Sequence, residues 1–232
     1  MKILITGGSG FIGTNFVKCA LNRNHIIYNI DNLSLFSKDQ NISHKNYTFS
    51  KIDIRNETEI LEILNKFIPD KIINMAAESH VDKSIAEPKT FFETNILGTY
   101  NMLEAANTFW KHTKNSSFCF HHVSTDEVFG SLKKFDKPFL EKSNYKPNSP
   151  YSASKAGSDH LVRSWNKTYS LPVSITHCGN NFGPYQSPEK LIPLTIINCL
   201  TKQKIPVYGN GENIRDWIYV KDHVSALLDI ME

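Results

Sequence analysis

Two short stretches of the chain carry side chains able to move protons. In Tyr151-Ser152-Ala153-Ser154-Lys155 a phenol and an ammonium stand four residues apart. On a helix that spacing puts both on one face, and Pro150 suits the first helical position. A cation beside a phenol lowers its pKa from the free value of about 10, which makes the tyrosine a usable base near neutrality. In Ser124-Thr125-Asp126-Glu127 two adjacent carboxyls follow two hydroxyls. In a dry crevice such a pair suits acid and base work, provided the surroundings push the two pKa values apart. The same residue types are also good helix-capping material, and position alone does not choose between the readings.

A third stretch could hold a cofactor. Gly7-Gly8-Ser9-Gly10-Phe11-Ile12-Gly13 follows an apolar strand pattern and opens an apolar helix. Gly7, Gly10 and Gly13 supply a tight turn, close backbone approach to a pyrophosphate, and tight packing of helix on sheet. Asp31 closes the second strand pattern, where a carboxylate accepts hydrogen bonds from both ribose hydroxyls and repels a 2′-phosphate. No arginine stands beside it. The pattern predicts NAD rather than NADP.

These groups must be positioned by regular elements. Apolar runs of strand length occupy residues 2–6, 26–31, 47–53, 71–77, 118–124 and 173–178. Nearly continuous apolar character is expected of parallel strands covered on both faces. Between them, Asn56-Glu57-Thr58-Glu59 resembles a capping box that leads Ile60, Leu61, Ile63, Leu64 and Phe67 along one helix face. Pro88 suits a helix start with Phe92, Ile96, Tyr100 and Leu103 on one side, and residues 151–169 make the next helix. This alternation predicts an α/β fold, a Rossmann-type doubly wound parallel sheet. It puts the Thr-Asp-Glu run at the carboxyl end of the fifth strand, facing the ligand crevice. From Leu171 the prolines and glycines multiply, suggesting substrate-facing structure with short elements before a last amphipathic pattern at 222–231.

Bulk properties narrow the class. The 26 basic and 23 acidic residues are scattered, which argues against a polyanion-binding surface and so against nucleic acid as a partner. Four cysteines lie far apart with no metal-ligand spacing, so a reducing setting and no metal are expected. The opening residues leave no room for a signal peptide, and no apolar run approaches the ~20 residues that span a bilayer. A cytoplasmic location, with no membrane partner, is therefore expected.

With these pieces in place, the chain resembles the dTDP-glucose 4,6-dehydratase family of the extended short-chain dehydrogenases/reductases, the NAD-dependent epimerase/dehydratase group. The likeness rests on residues 6–13, Ala76-Ala77-Glu78-Ser79-His80-Val81-Asp82, Glu93-Thr94-Asn95, residues 124–130 and Ser149 to Lys155. It continues through Asn180-Asn181-Phe182-Gly183-Pro184-Tyr185, Pro188-Glu189-Lys190-Leu191-Ile192-Pro193 and Arg215-Asp216-Trp217. Thr125-Asp126-Glu127 is the most diagnostic part, because related epimerases and decarboxylases carry other residues at the position of Asp126.

The resemblance implies a mechanism and a site. Tyr151, assisted by Thr125 and Lys155, takes the proton of the sugar 4-hydroxyl while hydride passes from C4 to NAD. Glu127 removes the C5 proton, protonated Asp126 gives its proton to the departing 6-hydroxyl, and hydride returns to C6. Phe11, Ile12, Asp31, Asn32, Leu33, Ser34, Asp53, Ile54, Ala76, Ala77 and Thr94 would surround NAD with the three glycines, Tyr151 and Lys155, and with Asn181 nearby. Ser79, Thr125, Asn180, Lys190, Leu191, Pro206, Val207, Tyr208 and Arg215 would hold the nucleotide sugar, the Arg215 guanidinium being suited to gripping a diphosphate. Residues 1–170 would then form the NAD-binding domain. Residues 171–232 would be a smaller nucleotide-sugar-binding region, interleaved with the first and truncated at its C-terminal end.

Three departures stand out. Asn32-Leu33-Ser34-Leu35-Phe36-Ser37 differs from the family's usual loop, Phe129 and Phe182 replace tyrosines, and the chain is about a third shorter than the family. A UDP-sugar epimerase or decarboxylase, or an inactive NAD-binding fragment, are the competing readings. Pairing of two copies through residues 88–109 and 151–169 is expected by analogy of fold.

Overall fold

The computed structural model describes all residues except Leu35, Phe36, Lys38, Asp39, Lys134 and Tyr208. Six parallel strands form the main sheet: β1 (Lys2–Thr6), β2 (Ile26–Asp31), β3 (Tyr47–Lys51), β4 (Lys71–Asn74), β5 (Cys119–Thr125) and β6 (Val173–Cys178). Their spatial order is β3-β2-β1-β4-β5-β6, all parallel, with Ile3 opposite Ile27 on one side and Lys71 on the other. This is the doubly wound order, and its direction reverses between β1 and β4.

Successive side chains of a strand face opposite sides of its sheet, and β1 divides its residues between two cores in this way. Leu4 joins Ile30, Ile72 and Phe120 under α2 (Glu57–Phe67), α5 (Thr99–Thr113) and α6 (Pro150–Tyr169). Ile3 and Ile5 join Ile27, Ile73 and Val123 under α1 (Phe11–Asn22) and α8 (Val220–Met231). Both faces are thus covered, which is why the strands read as unbroken apolar runs. Strand β6 and helix α8 lie beyond residue 170, yet both build this body. Between them, β7 (Asn180–Phe182), α7 (Leu191–Leu200) and β8 (Trp217–Tyr219) form a small appendage in which β7 and β8 pair with each other.

Three expectations need correction. The third and fourth strands end at Lys51 and Asn74, earlier than the apolar runs do. The apolar residues beyond, Ile52, Ile54, Met75, Ala76 and Ala77, leave the sheet to line a cavity. Asn56 accepts the Glu59 N–H at 3.4 Å, a one-sided cap in place of the expected box. The helix expected after Pro88 is interrupted. A short turn α4 (Pro88–Phe91) runs into a π-helical segment (Phe92–Gly98) before α5. The widened turn shifts the buried face to Thr94, Asn95 and Gly98, and leaves Phe92 and Tyr100 exposed. An α3 turn (Val81–Ala86) precedes it.

Candidate active site

A cavity of about 670 Å³ opens over the carboxyl ends of the strands, at the point where their order reverses. One end is framed by the glycine loop. Gly7 adopts φ +72°, and a Cβ on Gly13 would stand 2.2 Å from the Gly7 carbonyl oxygen. Helix α1 therefore packs on the loop as only glycine permits. Its first turn has neither a side-chain cap nor an acidic residue, so the positive end of the helix is left to the cavity. Asp31 is buried at the end of β2 and accepts the N–H groups of Ser9 (3.0 Å) and Leu33 (2.9 Å).

The other end holds the proton-transfer groups. Thr125 caps a 3₁₀ turn (Asp126–Phe129), its hydroxyl accepting the Glu127 N–H at 3.2 Å and standing 3.4 Å from Asp126 Oδ1. Capping and chemistry are therefore two aspects of one feature: the turn that Thr125 starts carries both carboxyls to the cavity wall. Gly130 ends the turn at φ +97°, where a Cβ would lie 2.6 Å from the Lys146 carbonyl. Burial raises the Asp126 carboxyl above its ordinary range, against the Thr125 hydrogen bond. Burial and the neighbouring Asp126 raise Glu127, opposed by the charges of Arg215 and Lys190. The two carboxyls thus share a direction, and it is Glu127 that has cations to offset it.

Helix α6 supplies Tyr151 and Lys155. Ser149 and Ser152 make a reciprocal capping box, and Pro150 sits in the first turn. The expected lowering of the Tyr151 pKa is not found. Burial and the charge of Glu127 push the phenol up, and the Lys155 ammonium donates to the Val123 carbonyl at 2.8 Å. Asn95, in the π-helical segment, pins the site from behind by bonding Glu78 and the Ser154 hydroxyl.

All five proposed catalytic residues, Thr125, Asp126, Glu127, Tyr151 and Lys155, line the one cavity. So do Gly7, Gly10, Phe11, Ile12, Gly13, Asp31, Asn32, Ser34, Ile54, Ala76, Ala77, Thr94 and Asn181 from the expected cofactor set. From the expected sugar-nucleotide set, Ser79, Asn180, Lys190, Leu191 and Arg215 line it as well. Leu33, Asp53, Pro206 and Val207 do not, and Tyr208 lies outside the described residues. Asp53 is drawn instead to Arg55, whose hydrogen bond holds its carboxyl down at about 2. Sequence reasoning gave no site role to His80 and Glu189, 3.8 Å apart at the wall, nor to Asn213 and Trp217. It also missed Asp159, for which the four-residue step from Lys155 was the available signal. Among the described residues no cluster of three or more His, Cys, Asp or Glu could hold a metal.

Comparison with known proteins agrees with this geometry. A family model described as GDP-mannose 4,6 dehydratase matches residues 4–232. The dTDP-glucose 4,6-dehydratase of Salmonella typhimurium is 48% identical, covering 98% of this chain and 67% of its own length. The chain belongs to the dTDP-glucose 4,6-dehydratase family. A Bacillus anthracis dTDP-glucose 4,6-dehydratase solved in complex with NAD superposes with a TM-score of 0.89 at 42% identity, covering 100% of this chain and 72% of that one. A Streptomyces venezuelae dTDP-glucose 4,6-dehydratase, also with NAD bound, gives a TM-score of 0.91 at 39% identity with the same coverage. The chain spans about two thirds of the Salmonella dehydratase. Among its described residues no helix is long and apolar enough to cross a membrane.

Proposed function

We propose that this chain removes water from dTDP-glucose to give dTDP-4-keto-6-deoxyglucose, a step of nucleotide-sugar and deoxysugar biosynthesis, with NAD as resident cofactor. One observation carries the reading: Asp126 and Glu127, both with raised pKa, line the same end of one cavity as Tyr151 and Lys155. The uncapped N-terminus of α1, the glycine cradle and the Asp31 carboxylate fit a dinucleotide. When bound, NAD supplies the acceptor, and later the donor, of the electron pair that leaves C4 and returns at C6.

The chain's own groups do the rest. Tyr151 takes the proton of the 4-hydroxyl, with the Thr125 hydroxyl hydrogen-bonded to it and favouring the phenolate. A ketone at C4 acidifies the C5 hydrogen, which Glu127 removes. Asp126, whose protonated form burial favours, gives its proton to the departing 6-hydroxyl. Arg215 and Lys190 lie at the cavity wall where a diphosphate could be gripped.

We further propose that residues 1–170 bind NAD and residues 171–232 bind the nucleotide sugar, that Leu33, Asp53, Pro206, Val207 and Tyr208 join these contacts, that the protein works in the cytoplasm, and that it forms a homodimer. Exposed Phe92, Leu97 and Tyr100 on the interrupted helix, with Tyr169 on α6, support the pairing surface. Incubation with dTDP-glucose and, separately, UDP-glucose tests the reading. A 4-keto-6-deoxy product from dTDP-glucose, seen by its alkaline absorbance, is expected; a 4-epimer from UDP-glucose would replace the reading with an epimerase.

A further inference from the structure

Behind the cavity runs a line of buried polar groups that the reaction above leaves unused. The Thr6 hydroxyl at the end of β1 accepts the N–H groups of Met75 (3.1 Å) and Ala76 (3.0 Å), and gives its own proton to Asn74 Oδ1 at 2.7 Å. This orients the Asn74 amide, so its nitrogen faces His122 Nδ1 at 3.1 Å. An amide nitrogen only donates; Nδ1 must accept, and the proton of the neutral ring resides on Nε2. Burial, aided by Lys155, keeps the ring neutral by holding its pKa well below the ordinary value. His122 Nε2 lies 3.4 Å from Lys155 Nζ and 3.5 Å from Asp159 Oδ1.

Asp159 is itself 2% exposed. Its Oδ2 accepts the hydroxyls of Ser124 and Tyr145, each at 2.9 Å, and stands 3.0 Å from His177 Nε2. Its Oδ1 has no hydrogen bond among the described residues and stands 3.5 Å from His122 Nε2. Burial alone would raise this carboxyl, but the His177 hydrogen bond and the charge of Lys155 hold it below the usual range. The other titratable neighbours offer Lys155 no competing anion in that wall. His121 on β5 is held neutral by burial, at about 4, and the Cys178 thiol on β6 is pushed up to about 11. Asp126 and Glu127 act on Tyr151 from the cavity side.

We propose that Asp159 is a positioning residue for the Tyr151–Lys155 pair: its buried carboxylate, set across the His122 ring from Lys155, keeps that lysine in its ammonium form by charge. A buried ammonium with only a carbonyl for a partner loses its proton readily, and burial does lower Lys155, with Asp159 the leading opposing charge. The inference rests on Tyr151 being the base, but the charge of Lys155 can be read without turnover.

The test is NMR on the NAD-loaded protein labelled at histidine and lysine. In the wild type, His122 is expected as the Nε2–H tautomer and Lys155 as an ammonium at pH 7. Asp159→Asn is expected to move the Lys155 titration down by about one pH unit or more, a tenfold change in proton affinity, and Asp159→Glu to restore it. If dTDP-glucose is turned over, the alkaline limb of kcat should move with it while KM stays within about twofold. An Nδ1–H tautomer in the wild type, or an unmoved Lys155 titration in folded Asp159→Asn, overturns the proposal. Should Asp159→Asn fail to fold, the wild-type tautomer and Lys155 charge decide alone. Failure to dehydrate dTDP-glucose, with the NMR shifts as expected, would count against the activity and leave this inference supported.

Discussion

Asn95 and Glu78 hold each other through a reciprocal pair of hydrogen bonds: the Glu78 N–H donates to Asn95 Oδ1 at 2.9 Å, and Asn95 Nδ2 donates to the Glu78 carbonyl at 3.0 Å. Asn95 also reaches the Ser154 hydroxyl at 2.8 Å, and its own carbonyl accepts from Ser158 at 2.6 Å. One side chain, 1% exposed, therefore ties the loop after β4 to the helix that carries Tyr151 and Lys155. Asn95→Ala leaves buried donors and acceptors unpaired, at a cost of about 1–3 kcal/mol. Urea denaturation should show that loss. If stability is unchanged, the clamp has no energetic weight.

That clamp marks the limit of what the sequence discloses. The glycine loop, the Tyr-Lys step and the Thr-Asp-Glu run were legible because each has a spacing tied to one local geometry, a turn or a helix face. The first, second, fifth and sixth strands ended within a residue of their apolar runs. The π-helical segment was not legible, since Phe92, Ile96 and Tyr100 repeat with ordinary helical period while the widened turn buries Thr94 and Asn95. Nor was the alliance of Asn74, His122 and Asp159. These residues come from two strands and a helix and meet only through sheet order, which no local period encodes.

Gly13 offers a sharper trial of the cofactor end. A Cβ there would meet the Gly7 carbonyl oxygen at 2.2 Å and the Gly8 Cα at 2.6 Å, both backbone atoms that cannot rotate away. Gly13→Ala must push α1 off the loop, at a cost of about 1–3 kcal/mol or more. Displacing the helix N-terminus should also weaken NAD at least about tenfold, equivalent to about 1.4 kcal/mol. Calorimetric titration with NAD reads this directly; unchanged affinity would remove the glycine loop from the site.

The two carboxyls can be separated by which step each one stalls. Asp126→Asn cannot give a proton to the leaving hydroxyl, so water loss should fall by about 10²–10⁴. Oxidation at C4, followed through the absorbance of reduced nicotinamide in a single turnover, should change only a few-fold. Glu127→Gln should instead abolish exchange of the sugar C5 hydrogen with deuterated solvent. Equal loss of both steps in Asp126→Asn would contradict its assignment as the acid.

The same raised pKa values make a prediction about stability. A carboxyl whose folded-state pKa lies above its unfolded value favours folding fully at pH below the unfolded value, about 4, and progressively less as pH rises through the folded value. At neutral pH, therefore, both Asp126 and Glu127 work against the fold, burial being the main cause for each. Asp126→Asn and Glu127→Gln keep size and polarity while removing the charge. Each should raise stability at pH 7 by about 0.5–2 kcal/mol, the range common for a single stabilising substitution, and toward the lower end because water at the cavity mouth screens both charges. The gain should shrink toward zero as pH falls below about 4, where the wild-type carboxyls are protonated in both states. Thermal unfolding of the three proteins across that range gives the comparison. A variant less stable than wild type at pH 7 would mean that contacts of its carboxylate with Lys190, Arg215 or Thr125 outweigh its desolvation.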